Sequence, residues 1–147
     1  MATLGLEGKI YINTGTVQTP VWTEVCLAQD VTLSLEKSTA DVTSRCASGW
    51  RQLLGTLREA TPEFTILWDA SDPGVQALKN TFFADNQPVE VLILDGDISV
   101  SGKEGLRATM DVTNFTRNEE LEEGMTVDVT LVVAPGTTPA WVVTPIP

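Results

Sequence analysis

Residues 125–133 read MTVDVTLVV: Met125, Val127, Val129, Leu131 and Val133 fall on one side of an extended chain, and Thr126, Asp128 and Thr130 on the other. Side chains alternate across a β-strand with a period of two, so a strand with one dry face and one wet face satisfies this pattern and a helix does not. Residues 30–36, DVTLSLE, repeat it with Val31, Leu33 and Leu35 opposite Asp30, Thr32, Ser34 and Glu36. Residues 8–14 also alternate, and residues 62–69 put Phe64, Ile66 and Trp68 on one face. Residues 89–95, VEVLILD, are apolar on both faces, as a strand covered on both sides would be, whereas residues 107–115 alternate less cleanly. The triplet DVT occurs four times, at 30–32, 41–43, 111–113 and 128–130. The intervals are irregular, so this is not a solenoid repeat; it is what antiparallel strands with one wet face produce.

One segment changes the period. In residues 72–84, DPGVQALKNTFFA, Ser71 or Asp72 is a helix N-cap before Pro73, a favoured first helical residue. Val75, Leu78 and Phe82 then follow at i, i+3 and i+7, a stripe expected to pack on a sheet. A length of 147 residues suits one domain with one core. The expected fold is mainly β: a small β-sandwich or barrel with one flanking α-helix.

Composition removes several classes of function. There is no histidine, so no Ser-His-Asp or Cys-His pair and no imidazole metal ligand. Cys26 and Cys46 match no zinc spacing and are expected as free thiols. Asp69 with Asp72, and Asp95 with Asp97, could form a carboxylate dyad; helix-cap and turn positions explain both pairs better. No cofactor or metal is expected and the chain is read as no enzyme. No apolar run reaches the length of a membrane span, and the N-terminus has no secretory pattern.

The net charge is −11, yet residues 37–58 hold Lys37, Arg45, Arg51 and Arg58 against Asp41 alone, a local +3 that leaves −14 for the rest. Trp50 sits inside this basic stretch beside Ser48 and Gly49. So long a segment between strands is either a long loop or an extended hairpin arm. Trp50, Leu53, Leu54 and Leu57 are costly to leave in water, so a partner surface is expected for them. A basic arm on an acidic body complements a second copy of itself, and a head-to-tail contact of that kind builds rings or filaments.

Residues 40–78, ADVTSRCASGWRQLLGTLREATPEFTILWDASDPGVQAL, resemble the major tail proteins of tailed phages and gene transfer agents, the subunits of tail tubes. Residues 21–36 and 114–133 are similar to the strand before the arm and to the end of those domains, so the resemblance spans roughly residues 5–133. It implies a tail-tube-type β-sandwich or barrel in residues 1–133, with 37–60 as a long projecting loop and 134–147 as a Pro-rich extension. It further implies a structural virion protein whose hexameric rings stack into a hollow tube that conducts genomic DNA. The implied partners are other copies, a tape measure protein, a tail terminator and baseplate or distal tail proteins. The implied location is the virion tail, assembled in the host cytoplasm, with no membrane.

Within that picture Arg45, Trp50, Arg51 and Arg58 carry the inter-ring contact. Asp30, Thr32, Ser34, Glu36, Thr126, Asp128 and Thr130 face the lumen. Double-stranded DNA crosses without specific binding, since an acidic lining repels phosphate where a basic one would hold it. Two other classes compete: nucleic-acid contact through the basic arm, and a carbohydrate-binding β-sandwich using Trp22, Trp50 or Trp68 as a platform. The acidic run Glu119–Glu123 is expected at a rim, a lumen edge or a solvated turn. The four prolines around Trp141 predict an extended strap anchored by that tryptophan, or a frayed terminus.

Overall fold

Alternating segments do become strands. The computed structural model describes residues 2–16 and 18–146. Its elements are β1 (Lys9–Asn13), β2 (Trp22–Glu24), β3 (Ala28–Asp41), β4 (Leu53–Leu67), α1 (Pro73–Phe83), β5 (Val89–Leu94), β6 (Glu104–Asn118), β7 (Thr126–Val133) and β8 (Ala140–Val143). They form one antiparallel sheet in the order β2-β1-β5-β6-β7-β4-β3, with β8 also on β6. Among the described residues no helix is long and apolar enough to cross a membrane.

The long strand β6 joins two half-sheets. Gly105–Met110 pair with β5, and Glu104–Arg107 pair with β8 on the opposite edge. Met110–Asn118 pair with β7. The register slips between Val112 and Asn114, which is a β-bulge. That bulge is why residues 107–115 alternate poorly in sequence: Met110 and Val112 are buried before it, and Phe115 is the half-buried residue after it. Ile12, Val91 and Met110 from one half meet Ile66, Val127, Val129 and Leu131 from the other in a single core. The sheet therefore folds over on itself around the shared strand.

Helix α1 closes this core. The Asp72 carboxylate accepts from the Gly74 N–H at 2.8 Å and the Val75 N–H at 3.3 Å, with Pro73 inside the first turn. Val75, Leu78 and Thr81 are buried. Phe82, expected in the core, is instead half-exposed and stacks on Phe115 at 6.3 Å between ring centres. Asp72→Ala is expected to cost about 1 kcal/mol, which lowers the melting temperature by about 2–4 °C for a domain of this size. A thermal melt followed by circular dichroism checks it, and an unchanged melting point would remove the cap from the account.

Two strands, β2 and β8, are not legible in the alternation. Residues 140–143 lie on β6 as an edge strand and belong to the chain's own sheet. Within the single chain Trp141 is 57% exposed and does not anchor the segment. Val142 and Ile146 do, packing on Tyr11 and Leu94. Thr144, itself buried, accepts from the Lys103 N–H at 2.9 Å.

Candidate functional site

Two surfaces stand out: a polar face spread over four strands, and a hairpin that leaves the body. The polar face is the reverse of the core face of β3, β4, β7 and the second half of β6. Cross-strand pairing sets its rows. Thr32 lies opposite Glu63, Glu63 opposite Thr130, and Thr130 opposite Asn114. The next row runs Thr65, Asp128, Thr116, and the one after it Leu67, Thr126, Asn118. Toward the hairpin, Ser34 faces Thr61 and Glu36 faces Glu59. Glu36, Glu59, Glu63 and Asp128 thus share a face whose rows contain no Lys or Arg. Asp128 is fixed in place: it accepts from the Thr65 hydroxyl at 2.8 Å and from the Asn118 amide at 3.0 Å.

The structure brings Thr32, Ser34, Glu36, Thr126, Asp128 and Thr130 onto this one face, although β4 separates their strands. Asp30 stands apart. The register of β3 against β4 slips between Ala28 and Val31, so Asp30 sits in a bulge and borders a cleft beside β1. Sequence reasoning missed Glu59, Glu63, Thr65 and the Asn114–Asn118 edge. The signal for the first three was present: they alternate with Ala60, Phe64 and Ile66, which are buried.

Residues 37–60 are not an irregular loop. Lys37–Asp41 and Leu53–Ala60 continue β3 and β4 as paired strands, and only residues 42–52 turn. Extended alternation in that stretch is disguised by a second bulge between Lys37 and Thr39. The tip is ordered by its own hydrogen bonds: Val42 N–H to Gln52 O at 3.0 Å, Gln52 N–H to the Thr43 hydroxyl at 2.8 Å, and Trp50 N–H to Ala47 O at 3.0 Å. Ser48 and Gly49 turn the chain in the left-handed region, at φ 54° and 83°, where glycine is at home and serine is uncommon.

From Leu35 to Glu59 no residue is buried. Trp50 is 76% and Leu57 79% exposed, with Leu53 and Leu54 over half exposed. Arg45 lies in the short helical turn at the tip, and Arg51 reaches Asp41 at 3.8 Å. Arg58 stands directly across from Lys37. Like charges opposed on a two-stranded ribbon disfavour it, and a lone hairpin in water is marginal.

The remaining candidates resolve into structure. Asp69 accepts from the Ser71 hydroxyl at 2.6 Å and its N–H at 2.9 Å. Asp97 does the same with the Ser99 N–H at 2.8 Å and hydroxyl at 2.7 Å. These bonds hold both carboxyls below their ordinary value, the Ser71 hydroxyl foremost for Asp69 and the Ser99 N–H foremost for Asp97. That is the state of a turn residue rather than of a proton donor. Glu119–Glu123 form a fully exposed turn between β6 and β7, where Glu123 raises the pKa of Glu120 by hydrogen bonding and like charge. Trp22 lies under Arg107 at 5.3 Å and Trp68 under Arg117 at 5.1 Å, which leaves neither as a free stacking platform for sugar. Cys26 and Cys46 are both free. Among the described residues no cluster of metal-ligating side chains forms.

The sequence matches the family described as phage tail tube protein over residues 9–136. The chain belongs to that family. A tail tube protein is a structural component of the virion tail, and the mainly β fold with one helix is the fold of its relatives. A chain in the virion of a native gene transfer agent particle superposes with a TM-score of 0.72 at 18% identity, covering 95% of this chain and 99% of that one. A chain from the tail of an empty gene transfer agent particle, refined with C6 symmetry, gives 0.72 at 18% identity, covering 93% and 98%. The SPP1 tail tube gives 0.71 at 11% identity, covering 94% and 78%. No curated protein sequence matches this tail tube protein.

Proposed function

We propose that six copies close into a ring around a lumen lined by the polar face, and that the β3–β4 hairpin carries the contact between stacked rings. The observation that carries this reading is the hairpin itself: an ordered arm, apolar and basic, with no buried residue between Leu35 and Glu59.

Topology supports the ring. β3 ends the strand path, and among the described residues the Asp111–Asn118 stretch of β6 has β7 on one edge and no strand pairing on the other. Each of these edges offers unpaired N–H and C=O groups. The order β6-β7-β4-β3 is antiparallel throughout, so β3 of one copy meets β6 of the next antiparallel. Four strands from each of six copies make a barrel of twenty-four; six is the symmetry of the gene transfer agent tail to which the fold is similar. At about 4.8 Å per strand that is a backbone diameter of roughly 37 Å, wider once the strands tilt. Such a bore passes a DNA duplex.

The lining then consists of rings of Glu36, Glu59, Glu63 and Asp128 with threonines between them. Phosphate is repelled by such a surface, and screening over about 8 Å at physiological salt keeps the stacked carboxylates tolerable. In a virion the tube would enclose a tape measure protein and end on a terminator and a baseplate. Cap and baseplate assemblies of the anti-feeding prophage contain similar folds.

Electron microscopy of purified protein, alone and with a tail initiator complex, tests the reading. Six-fold tubes with an open centre are expected. A monomer under both conditions at high concentration would sink it.

A further inference from the structure

The hairpin tip and an open cleft lie at opposite ends of the same strand. The cleft, about 910 Å³, is bordered by the start of β3, by the beginning of β1 and by the end of β5. The tip follows the far end of β3, so the two are separated by the length of Ala28–Asp41, roughly 43 Å at about 3.3 Å per residue. A hairpin cannot fold back that far onto its own cleft.

Their surfaces match. The tip, residues 42–52, carries Arg45 and Arg51 and no acid, with Val42 and Trp50 exposed. Leu53 and Leu54 follow it, also exposed. The cleft offers Leu6 at 92% exposure, Val31 and Leu33 as apolar wall. Its acids are Glu24 and Asp30, and its one base, Lys9, is already held by Glu24 at 3.0 Å. Among the described residues Asp30, set apart from the polar face by the bulge, has no salt bridge.

We infer that the hairpin tip of one copy docks in this cleft of a copy in the adjacent ring, with Trp50 against the Leu6, Val31 and Leu33 wall and Arg45 or Arg51 near Asp30. This rests on the stacked-ring reading and names the receptor for the arm. Donor and receptor sites at opposite ends of one strand make a head-to-tail contact that repeats along the tube axis and does not close.

Cys46 lies at the tip and Cys26 lines the cleft. In a Cys26→Ser chain, Cys46 alone can be labelled with a benzophenone maleimide and irradiated after assembly. Cross-links to residues 5–10 or 24–33 are expected, in tubes and not in monomer, and the strand length makes them intermolecular. Tubes whose cross-links go elsewhere, to α1 or the β8 edge for example, would overturn the docking site and leave the tube reading intact. Absence of tubes from the unlabelled parent chain would overturn both. A charge swap gives a second readout that needs no label. Arg45→Glu with Arg51→Glu should lose tubes, Asp30→Arg should lose them, and all three changes together should restore them. Failure of the triple variant, with the parent chain tubular, would also overturn the docking.

Discussion

A chain in which residues 40–54 are replaced by an Asn-Gly turn is expected to fold with an unchanged melting point and to form no tubes. Thr39 and Gly55 are already cross-strand partners, so they flank the new turn without a change of register. Nothing removed is buried, and exposed positions away from caps and cores shift stability by about 0.5 kcal/mol or less. Assembly loses far more. Val42, Trp50, Leu53 and Leu54 are exposed in the single chain, and fully burying each such side chain against a neighbour is worth about 1.5–3 kcal/mol. That loss recurs in every copy of a ring. Melting by circular dichroism and negative-stain images of the same sample separate the two effects. Tubes of normal length from the excised chain would remove the hairpin from stacking. A chain that no longer folds would instead place the tip in the cooperative unit of the domain.

The second large effect concerns passage rather than assembly. Glu36→Lys, Glu59→Lys and Glu63→Lys together should still give tubes, because all three side chains are exposed on the polar face. Glu36 and Glu59 oppose each other, so reversing both keeps a like-charged pair and a similar small cost. DNA ejection from particles carrying this tube should slow or stall. Each phosphate held by a lysine releases counterions, and the resulting affinity falls steeply as salt rises. Ejection should therefore recover as ionic strength is raised, an outcome a merely misassembled tube would not give. Ejection at the parent rate in low salt would move these carboxylates off the lumen.

Much of the fold was legible because solvent imposes it residue by residue. A strand wet on one face must alternate, and residues 30–36 and 125–133 do; a capped helix must begin with an acceptor, and Asp72 is one. The bulges at Asp30, at Thr56–Leu57 opposite Ser38, and at Thr113 were not legible, since an extra residue costs only local pairing and leaves the composition unchanged. Each bulge shifts which residues share a face. That is why Asp30 leaves the polar row and why the arm reads as a loop although it is two paired strands. Strand β8 was hidden for a different reason: it is a short edge strand among prolines, and an edge needs hydrogen bonds along one side only.

By itself the sequence determined that this protein is mainly β with one capped helix, that a basic, aromatic arm interrupts an acidic body, and that its strands keep Asp and Thr on one side. Those are local properties, set by how each residue meets water and by charge counted along the chain. The tertiary structure alone decided which polar residues lie together. Glu63 joins Thr32 and Thr130 because β4 lies between β3 and β7, and a row across a sheet is made by pairing partners tens of residues apart.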